Sequence, residues 1–435
     1  MRLARLDTEA VKQLGGPGGA AAHVRRLVAD GASVREAVAE IIDAVRARGD
    51  DALIEYTKQL DARRAGDIAL VVAQDELDSA LTSLSRELVA GLQVAIANVA
   101  LVAEAGVGED IALDLPQGHR VTLREVPVSS AAVYVPGGRA PYPSTVVMGV
   151  VTARAAGVLD VAVCSPPGPD GDVHPAILGA CRLCGVERVY RVGGAQAIAA
   201  LALGTRTVAP VDVIVGPGNL YVQEAKQQLS GIVGIDGFAG PSDLLVVLSA
   251  QADGRAIELA ALDMLAQAEH GDGSIVAAVS ASAQVCEALE FVLRDRGSQH
   301  VTVGDAAFAL VQVDSPREAI AFANAFAPEH LQLMGADVEA LSRSVTAAGC
   351  VFVGADSATA FGDYVAGSNH VLPTAGAARF ASTLSPRQFR RRMSEVRIGA
   401  GATRLAAAGA PIARAEGFEV HALSMEARIG ENPAS

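Results

Sequence analysis

Between Ala131 and Asn219 the chain passes four times through one pattern: a short β-rich run, a Gly/Pro loop, then a helix-like stretch. The runs are AAVYVPGG, DVAVCSPPG, RVYRVGG and VDVIVGPGN. Strands that alternate with helices return over the sheet in βαβ units, which makes a parallel, doubly wound sheet. Such sheets bind ligands outside the carboxyl ends of their strands, where these Gly-rich loops fall. A second set begins near Asp243 with DLLVVLSA, SIVAAVSAS, VQVDSP, HLQLMG and CVFVG, again separated by helical stretches. The expected fold class is α/β: two Rossmann-like doubly wound parallel-sheet domains of similar rhythm, as a duplication would leave, with small N-terminal and C-terminal helical segments. No residue-level repeat accompanies the shared rhythm.

Outside these sets the signals are helical. Residues 1–25, with the Gly-rich LGGPGGAAA, read as an N-terminal arm. Val34, Val38, Ile41, Ile42 and Val45 form an apolar stripe; Ser33 and Glu36 fit a capping box, and Gly49 ends the helix. A long helical region covers roughly Glu76 to Ala105. Ser315-Pro316-Arg317-Glu318 opens another helix with an N-cap, a proline at the first position and a box glutamate. From about Arg379 the chain turns basic, and RQFRRRMSEVRI is expected to be helical, with Arg390, Arg391 and Arg392 on a solvated face rather than in a phosphate site. The expected domains are the arm 1–25, a first α/β domain of 26–130 plus 243–378, a second of 131–242, and a helical tail 379–435.

Composition narrows the class. A chain of 435 residues can hold two or three domains, and 51% hydrophobic residues without Trp suit an α/β enzyme. A net charge of −14 argues against nucleic acid or an anionic membrane as the main partner. Mean hydropathy is positive, but no uninterrupted apolar run approaches the roughly 18 residues a membrane helix needs. The opening MRLARLDTEAVKQLGG lacks the apolar core of a signal peptide, so a cytoplasmic location is expected. Five cysteines, an odd number in a long chain, do not suggest a disulfide framework. Cys181 and Cys184 form a lone CxxC; without a second pair they read as ordinary helix residues.

Of eight histidines, His23, His119, His174 and His300 fall at loops or element ends and read as surface residues. His270, His330, His370 and His421 lie in more polar settings. In APEHLQL, Glu329 and His330 follow a proline between a helix-like and a strand-like run. They are either polarity at an element boundary or a water-activating pair. Gln267 and His270, three apart near a helix end in LDMLAQAEHGDG, share a face, although a polar helix end would look the same. FGDYVAGSNHVLPT carries Asp363 and His370 seven residues apart across a loop of small residues. Aspartate and histidine, joined by a distant histidine, make a ligand set that suits zinc. No GxGxxG opens either set. YVPGGRAPYPS, RVGGAQA and VGPGNLYV instead supply bare backbone for close ligand approach.

Taken together, VYVPGGRAPYPSTVVMG, VGGAQAIAALALGT, VDVIVGPGNLYV, GPSDLLV, LAQAEHGDGS, APEHLQL, GDYVAGSNHVLPT and AEGFEVHALS follow the order found in histidinol dehydrogenases. The chain resembles that family from about residue 34 to about residue 428. The resemblance implies NAD-dependent four-electron oxidation of L-histidinol to L-histidine through L-histidinaldehyde, the final steps of histidine biosynthesis. It implies one Zn2+ per subunit, held by Gln267, His270, Asp363 and His421, and NAD contacts from Tyr134, Gln196 and Asn219. Ser242, Gln267, His270, His330, Asp363, Glu416 and His421 match positions that touch substrate or its metal, and Glu329 and His330 match the catalytic pair. It further implies a homodimer with shared active sites, in which tail residues such as Glu416 and His421 complete the partner's site. Three departures stand out. Asp243 lies where the family often has Glu, the link from Asn219 to Ser242 is slightly short, and the N-terminal arm matches nothing in the pattern.

Two other readings compete. A relative oxidising another small diol, such as a sulfonated propanediol, would keep the NAD loops and zinc ligands but alter the pocket; retained Ser242, Glu416 and His421 speak for histidinol. A non-catalytic zinc- or nucleotide-binding protein would have lost its base or its water-activating acid, and both Glu329 and His330 are present.

Overall fold

The computed structural model describes residues 2–28, 33–137, 140–237, 240, 242–271, 273–299 and 306–429. The chain divides into two compact units, Met1–Gly106 with Ser129–Phe389, and Val107–Val128 with Arg390–Ser435. Its strands, in chain order, begin with β1 (Arg2–Leu6), β2 (Ile111–Asp114) and β3 (Arg120–Pro127). Then come β4 (Ser130–Tyr134), β5 (Asp160–Ser165), β6 (Arg188–Arg191), β7 (Val213–Val215) and β8 (Gly234–Ile235). They are followed by β9 (Asp243–Leu248), β10 (Ile275–Ser280), β11 (Ala307–Gln312), β12 (His330–Met334), β13 (Cys350–Val353) and β14 (Arg390–Arg397).

The first unit holds two parallel sheets, ordered β6-β5-β4-β7-β8 and β1-β11-β10-β9-β12-β13. Numbered within β4–β8 and β9–β13, each has the order 3-2-1-4-5, so the shared rhythm of the sequence corresponds to a shared topology. Every residue of β9 and β10 is buried, as expected of strands covered on both faces. Successive side chains alternate faces. Leu245, Val247, Ala277 and Val279 enter one core with helices Pro17–Arg25 and Pro316–Phe326, whereas Leu244, Val246, Val276 and Ala278 enter another with helices Gly254–Ala268 and Ala283–Gly297.

The N-terminal segment is thereby tied into this sheet. Its β1 pairs with β11 from Arg2–Ala307 to Leu6–Val311, and its second helix packs on helix Pro316–Phe326. The helix after Ser33 begins at Arg35 with Val34 as N-cap and no side-chain cap; the Ser33 hydroxyl accepts only a long bond from the Arg35 amide, at 3.4 Å. Gly49, at φ 55°, closes it as expected. The long helical region resolves into Gln74–Ser83 and Arg86–Ala105, the second capped by Ser85. Helix Arg86–Ala105 is long and apolar enough, by length and composition, to cross a membrane, although Gln93 and Asn98 interrupt its apolar run. It packs against helix Pro143–Ala155 through a face that includes Leu92, Ala95, Val99 and Ala103.

The second unit is an antiparallel sheet, β14-β3-β2, followed by helices Ala402–Ala415 and Glu419–Glu426. The helix expected at RQFRRRMSEVRI is therefore replaced over Arg390–Arg397 by a strand. The cause is long-range: β14 pairs with β3 from Arg390–Pro127 to Arg397–Arg120, and Arg392 and Glu395 form ion pairs with Glu125 and Arg124 across it. The arginine run thus decorates a sheet, not a helix face. All five cysteines are free thiols, with Cys181 and Cys184 buried as packing residues.

Candidate active site

In the five-stranded sheet the strand order reverses between β4 and β7, and the three Gly-rich loops gather at the carboxyl ends there. Tyr134 closes β4, and its hydroxyl accepts a bond of 3.1 Å from the Gly194 amide at the start of helix Gly194–Leu203. Asn219 caps helix Leu220–Leu229 by accepting from the Tyr221 and Val222 amides, both at 3.1 Å. Gly216 must be glycine: its φ is 114°, and a Cβ would stand 2.1 Å from the Tyr134 carbonyl oxygen. Lys226, fully buried, fixes that turn by donating to the Gly216 carbonyl at 2.5 Å and to Asp236 at 2.7 Å, while Asp236 accepts from the Gly216 amide at 2.6 Å.

This end of the sheet contains polar atoms that the fold leaves unpaired. Among the described residues ten buried side-chain N and O atoms lack a hydrogen-bond partner, and five belong to Thr57, Asp61, Ser165 and Gln196, the last through both amide atoms. Native folds rarely leave such atoms unpaired, so a local cluster points to a ligand. Ser165 ends β5, Gln196 lies in the first turn of its helix, and Thr57 and Asp61 are one turn apart at the end of helix Asp50–Leu60. Burial pushes the Asp61 carboxyl up to about 6, and its charge reaches Tyr134. With helices beginning at Pro143, Gly194 and Leu220 just beyond these strands, the donor and acceptor types fit a dinucleotide's phosphates and hydroxyls. Tyr134, Gln196 and Asn219 all lie at this end.

The second cluster lies at the amino ends of β9 and β12, neighbours in the six-stranded sheet. Sequence reasoning looked to carboxyl ends, and here the opposite edge carries the side chains. Ser242 immediately precedes β9 and Asp243 is its first residue; Glu329 immediately precedes β12 and His330 is its first residue. The Ser242 hydroxyl donates to Glu329 Oε2 at 2.5 Å and receives a bond from Gln267 Nε2. The backbones lock reciprocally: the Asp243 amide donates to Glu329 Oε2 at 2.9 Å, and the Glu329 amide donates to Asp243 Oδ1 at 2.7 Å. Helix Pro316–Phe326 ends in Ala327 at φ 50°, so the chain swings into β12 with Glu329 outside the regular strand. Both members of the pair therefore face one place, His330 Nδ1 lying 3.8 Å from Glu329 Oε2.

The charges are strongly coupled. Burial pushes the Glu329 carboxyl up to about 7, against the opposing pull of His330. Burial pulls His330 down, but the Glu329 charge and the hydrogen bond to Asp363 outweigh it and carry the imidazole up to about 9. His330 Nε2 lies 3.1 Å from Asp363 Oδ1, and Nδ1 has no hydrogen-bond partner. Asp363 sits in helix Thr359–Tyr364 rather than in an irregular loop; burial pushes its carboxyl up, and the His330 bond with the neighbouring His370 and His270 charges brings it below its usual range.

The expected metal donors can be judged on their free atoms. His270 Nδ1 is engaged with the Gln267 carbonyl at 3.1 Å, which leaves Nε2 as a donor. Gln267 spends Nε2 on Ser242, and Asp363 spends Oδ1 on His330. One nitrogen and two oxygens of this kind fit zinc chemically. Among the described residues no three His, Cys, Asp or Glu side chains group closely enough to hold a metal by themselves; zinc ordinarily takes four donors, so a fourth would complete the set. His370 does not supply it. Its Nδ1 engages the Asp363 carbonyl at 2.8 Å and its Nε2 the Thr145 hydroxyl at 3.2 Å, so the Asp363–His370 ligand pair read from the loop is replaced by a structural contact. Glu416 and His421 belong to the second unit, where they line an open pocket of about 440 Å³ with Ile412, Ala413 and Ser424. His300 lies outside the described residues.

Sequence reasoning treated Asp243 only as a departure and passed over Thr57, Asp61, Thr145 and Ser165. Each is a common polar residue with no spacing to mark it; only burial without a partner, or a bond across the fold, identifies it.

A family profile described as Histidinol dehydrogenase matches residues 24–429. A histidinol dehydrogenase of Gluconobacter oxydans is 41% identical, over 93% of this chain and 94% of its own length. One of Synechococcus sp. is 44% identical, over 91% and 92% respectively. The crystal structure of a histidinol dehydrogenase from Elizabethkingia anophelis superposes with a TM-score of 0.89 at 30% identity, covering 99% of this chain and 98% of that one.

Proposed function

The chain belongs to the histidinol dehydrogenase family, and on that premise we propose that it oxidises L-histidinol to L-histidine through L-histidinaldehyde, using two NAD and one zinc ion, as a cytoplasmic enzyme of histidine biosynthesis. The observation that carries the reading is the meeting of Glu329 and His330, 3.8 Å apart, beside Ser242, Gln267 and Asp363. NAD would be held by Tyr134, Gln196 and Asn219 and would supply the hydride acceptor for both oxidations. Zinc would be held by Gln267, His270, Asp363 and His421, and would supply a Lewis acid for the substrate's nitrogens.

The chain's own groups then divide the work. In the first oxidation the alcohol carbon gives up hydride and its hydroxyl proton passes to the neutral form of His330, the form that gains as pH rises toward about 9; the imidazolium so formed is stabilised between Glu329 and Asp363. In the second, Glu329 takes a proton from water as its oxygen adds to the aldehyde carbon, giving a hydrate that loses hydride to form the acid. A carboxylate held near 7 is matched to that task at neutral pH. Ser242 orients the carboxylate through its short hydrogen bond. We also propose a homodimer in which Glu416 and His421 complete the site of the partner subunit; exposed Val94, Leu101 and Val102 on helix Arg86–Ala105 offer an apolar face for one copy to cover. We assign the NAD loops to 131–242 and the catalytic pair to 243–378.

A panel of small alcohols tests the substrate. L-histidinol should be turned over far faster than a sulfonated propanediol; the reverse ranking would move the chain to a diol-oxidising role.

A further inference from the structure

We propose that Arg25 is a positioning residue for Glu329: its guanidinium binds Asp243 and two helix-end carbonyls at once, and so holds the turn that aims the Glu329 carboxylate. The inference rests on the role given to Glu329 above. It also gives the N-terminal segment a place in the chemistry.

Arg25 ends helix Pro17–Arg25 and reaches across to the end of helix Pro316–Phe326. Nη1 donates to Asp243 Oδ2 at 2.6 Å, and Nη2 lies 3.4 Å from Oδ1. Nε and Nη2 donate to the Phe326 carbonyl at 3.1 and 2.6 Å, and Nη2 also donates to the Ala327 carbonyl at 3.1 Å. The guanidinium carbon stands 3.6 Å above the centre of the Phe326 ring. The planar fork of arginine satisfies all of these acceptors together; a lysine ammonium could answer the charge but not span them. The position is also electrostatically apt, because a helix carboxyl end carries a partial negative charge.

What this grip restrains is costly to hold. Ala327 occupies the left-handed region at φ 50°, a conformation unfavourable for a non-glycine residue that persists only when its surroundings impose it. From there the restraint passes along two routes. The Ala327 carbonyl fixes the turn directly. Asp243, whose side chain is fully buried, relays it by accepting from the Glu329 amide at 2.7 Å and the Ala375 amide at 3.2 Å, while its own amide donates to the Glu329 carboxylate at 2.9 Å. The Cys350 amide, donating to the Glu329 carbonyl at 2.9 Å, closes the frame from β13. Every polar backbone atom of Glu329, and one oxygen of its side chain, is thus set by a group that touches Arg25, Asp243 or the neighbouring strand.

The test compares Arg25→Lys and Arg25→Ala holoenzymes, measuring L-histidinol oxidation and L-histidinaldehyde oxidation separately, with kcat and KM for each, and the exchange rate of the Glu329 amide proton. Arg25→Lys keeps a counter-charge for Asp243, so it should fold even where Arg25→Ala does not. We expect Arg25→Lys to lower kcat for aldehyde oxidation by about 10- to 100-fold, to leave KM within about twofold, and to affect the alcohol step less. The Glu329 amide should exchange faster. Full activity in Arg25→Lys would overturn the proposal, as would equal loss in both steps with unchanged exchange. Glu329→Gln is run beside it. If that variant shows no selective loss in the aldehyde step, the role of Glu329 fails, and amide exchange alone decides on Arg25: faster exchange sustains the grip and unchanged exchange removes it.

Discussion

Glu329 and Ser242 share a hydrogen bond of 2.5 Å, donated by the serine hydroxyl to the same carboxylate oxygen that the Asp243 amide reaches at 2.9 Å. Those bonds favour the ionised form, yet burial prevails and the carboxyl titrates near 7. Water activation needs the carboxylate, so L-histidinaldehyde oxidation should fall as pH drops through about 7 and level off above it. Glu329→Gln should abolish that limb and lower the step by about 100-fold or more. A pH profile of kcat/KM on the aldehyde, for parent and variant, checks both; a limb that survives in the variant belongs to another group.

Gln196 offers a case where stability and binding oppose each other. It is fully buried and neither amide atom has a partner, so the ligand-free fold carries a polar group without compensation. Gln196→Leu, of similar volume, should stabilise the ligand-free protein by about 1–3 kcal/mol. The same change should weaken NAD binding by roughly tenfold, the worth of one good hydrogen bond. Calorimetric melting and NAD titration report the two effects, and unchanged NAD affinity would remove Gln196 from the cofactor site.

How much of this was legible in the chain depends on the range of the interactions involved. Most strands of both sheets are short apolar runs bounded by Gly and Pro, so their positions and parallel pairing could be read locally; β1, in what reads as an arm, and the two-residue β8 could not. Ser315, Pro316 and Glu318 marked a helix start that the structure keeps, Ser315 accepting from the Glu318 amide at 3.3 Å. The strand at Arg390–Arg397 could not be read this way, because its stabilising partner, β3, lies more than two hundred residues earlier. Likewise the adjacency of Glu329 and His330 gave no reason for both to face one site. The reason is the left-handed turn at Ala327, and an alanine does not announce a positive φ. Arg25 has no motif at all; its meaning lies entirely in the acceptors it meets.

Lys226 and Asp236 form an ion pair of 2.7 Å with side chains 0% and 7% exposed. Removing one partner leaves the other charge buried, so Lys226→Met should destabilise the fold by about 3–5 kcal/mol. Because Lys226 also fixes the Gly216 turn, NAD binding should weaken with it. Adding Asp236→Asn should recover part of the stability. Denaturant midpoints across the three variants give the coupling, and simple additivity would deny it.

The shared-site homodimer predicts complementation. Glu329→Gln and His421→Ala variants, each strongly impaired alone in carrying L-histidinol through to L-histidine, should regain part of the parent activity in that overall conversion when mixed under conditions of subunit exchange. A mixture as inactive as its components would place each complete site within one subunit.

The most direct measurement is the count of NADH formed per L-histidinol at limiting substrate, taken before and after the metal is stripped with a chelator. We expect two NADH per substrate, lost on stripping and restored by zinc. One NADH with release of the aldehyde, or two that persist without metal, would contradict it.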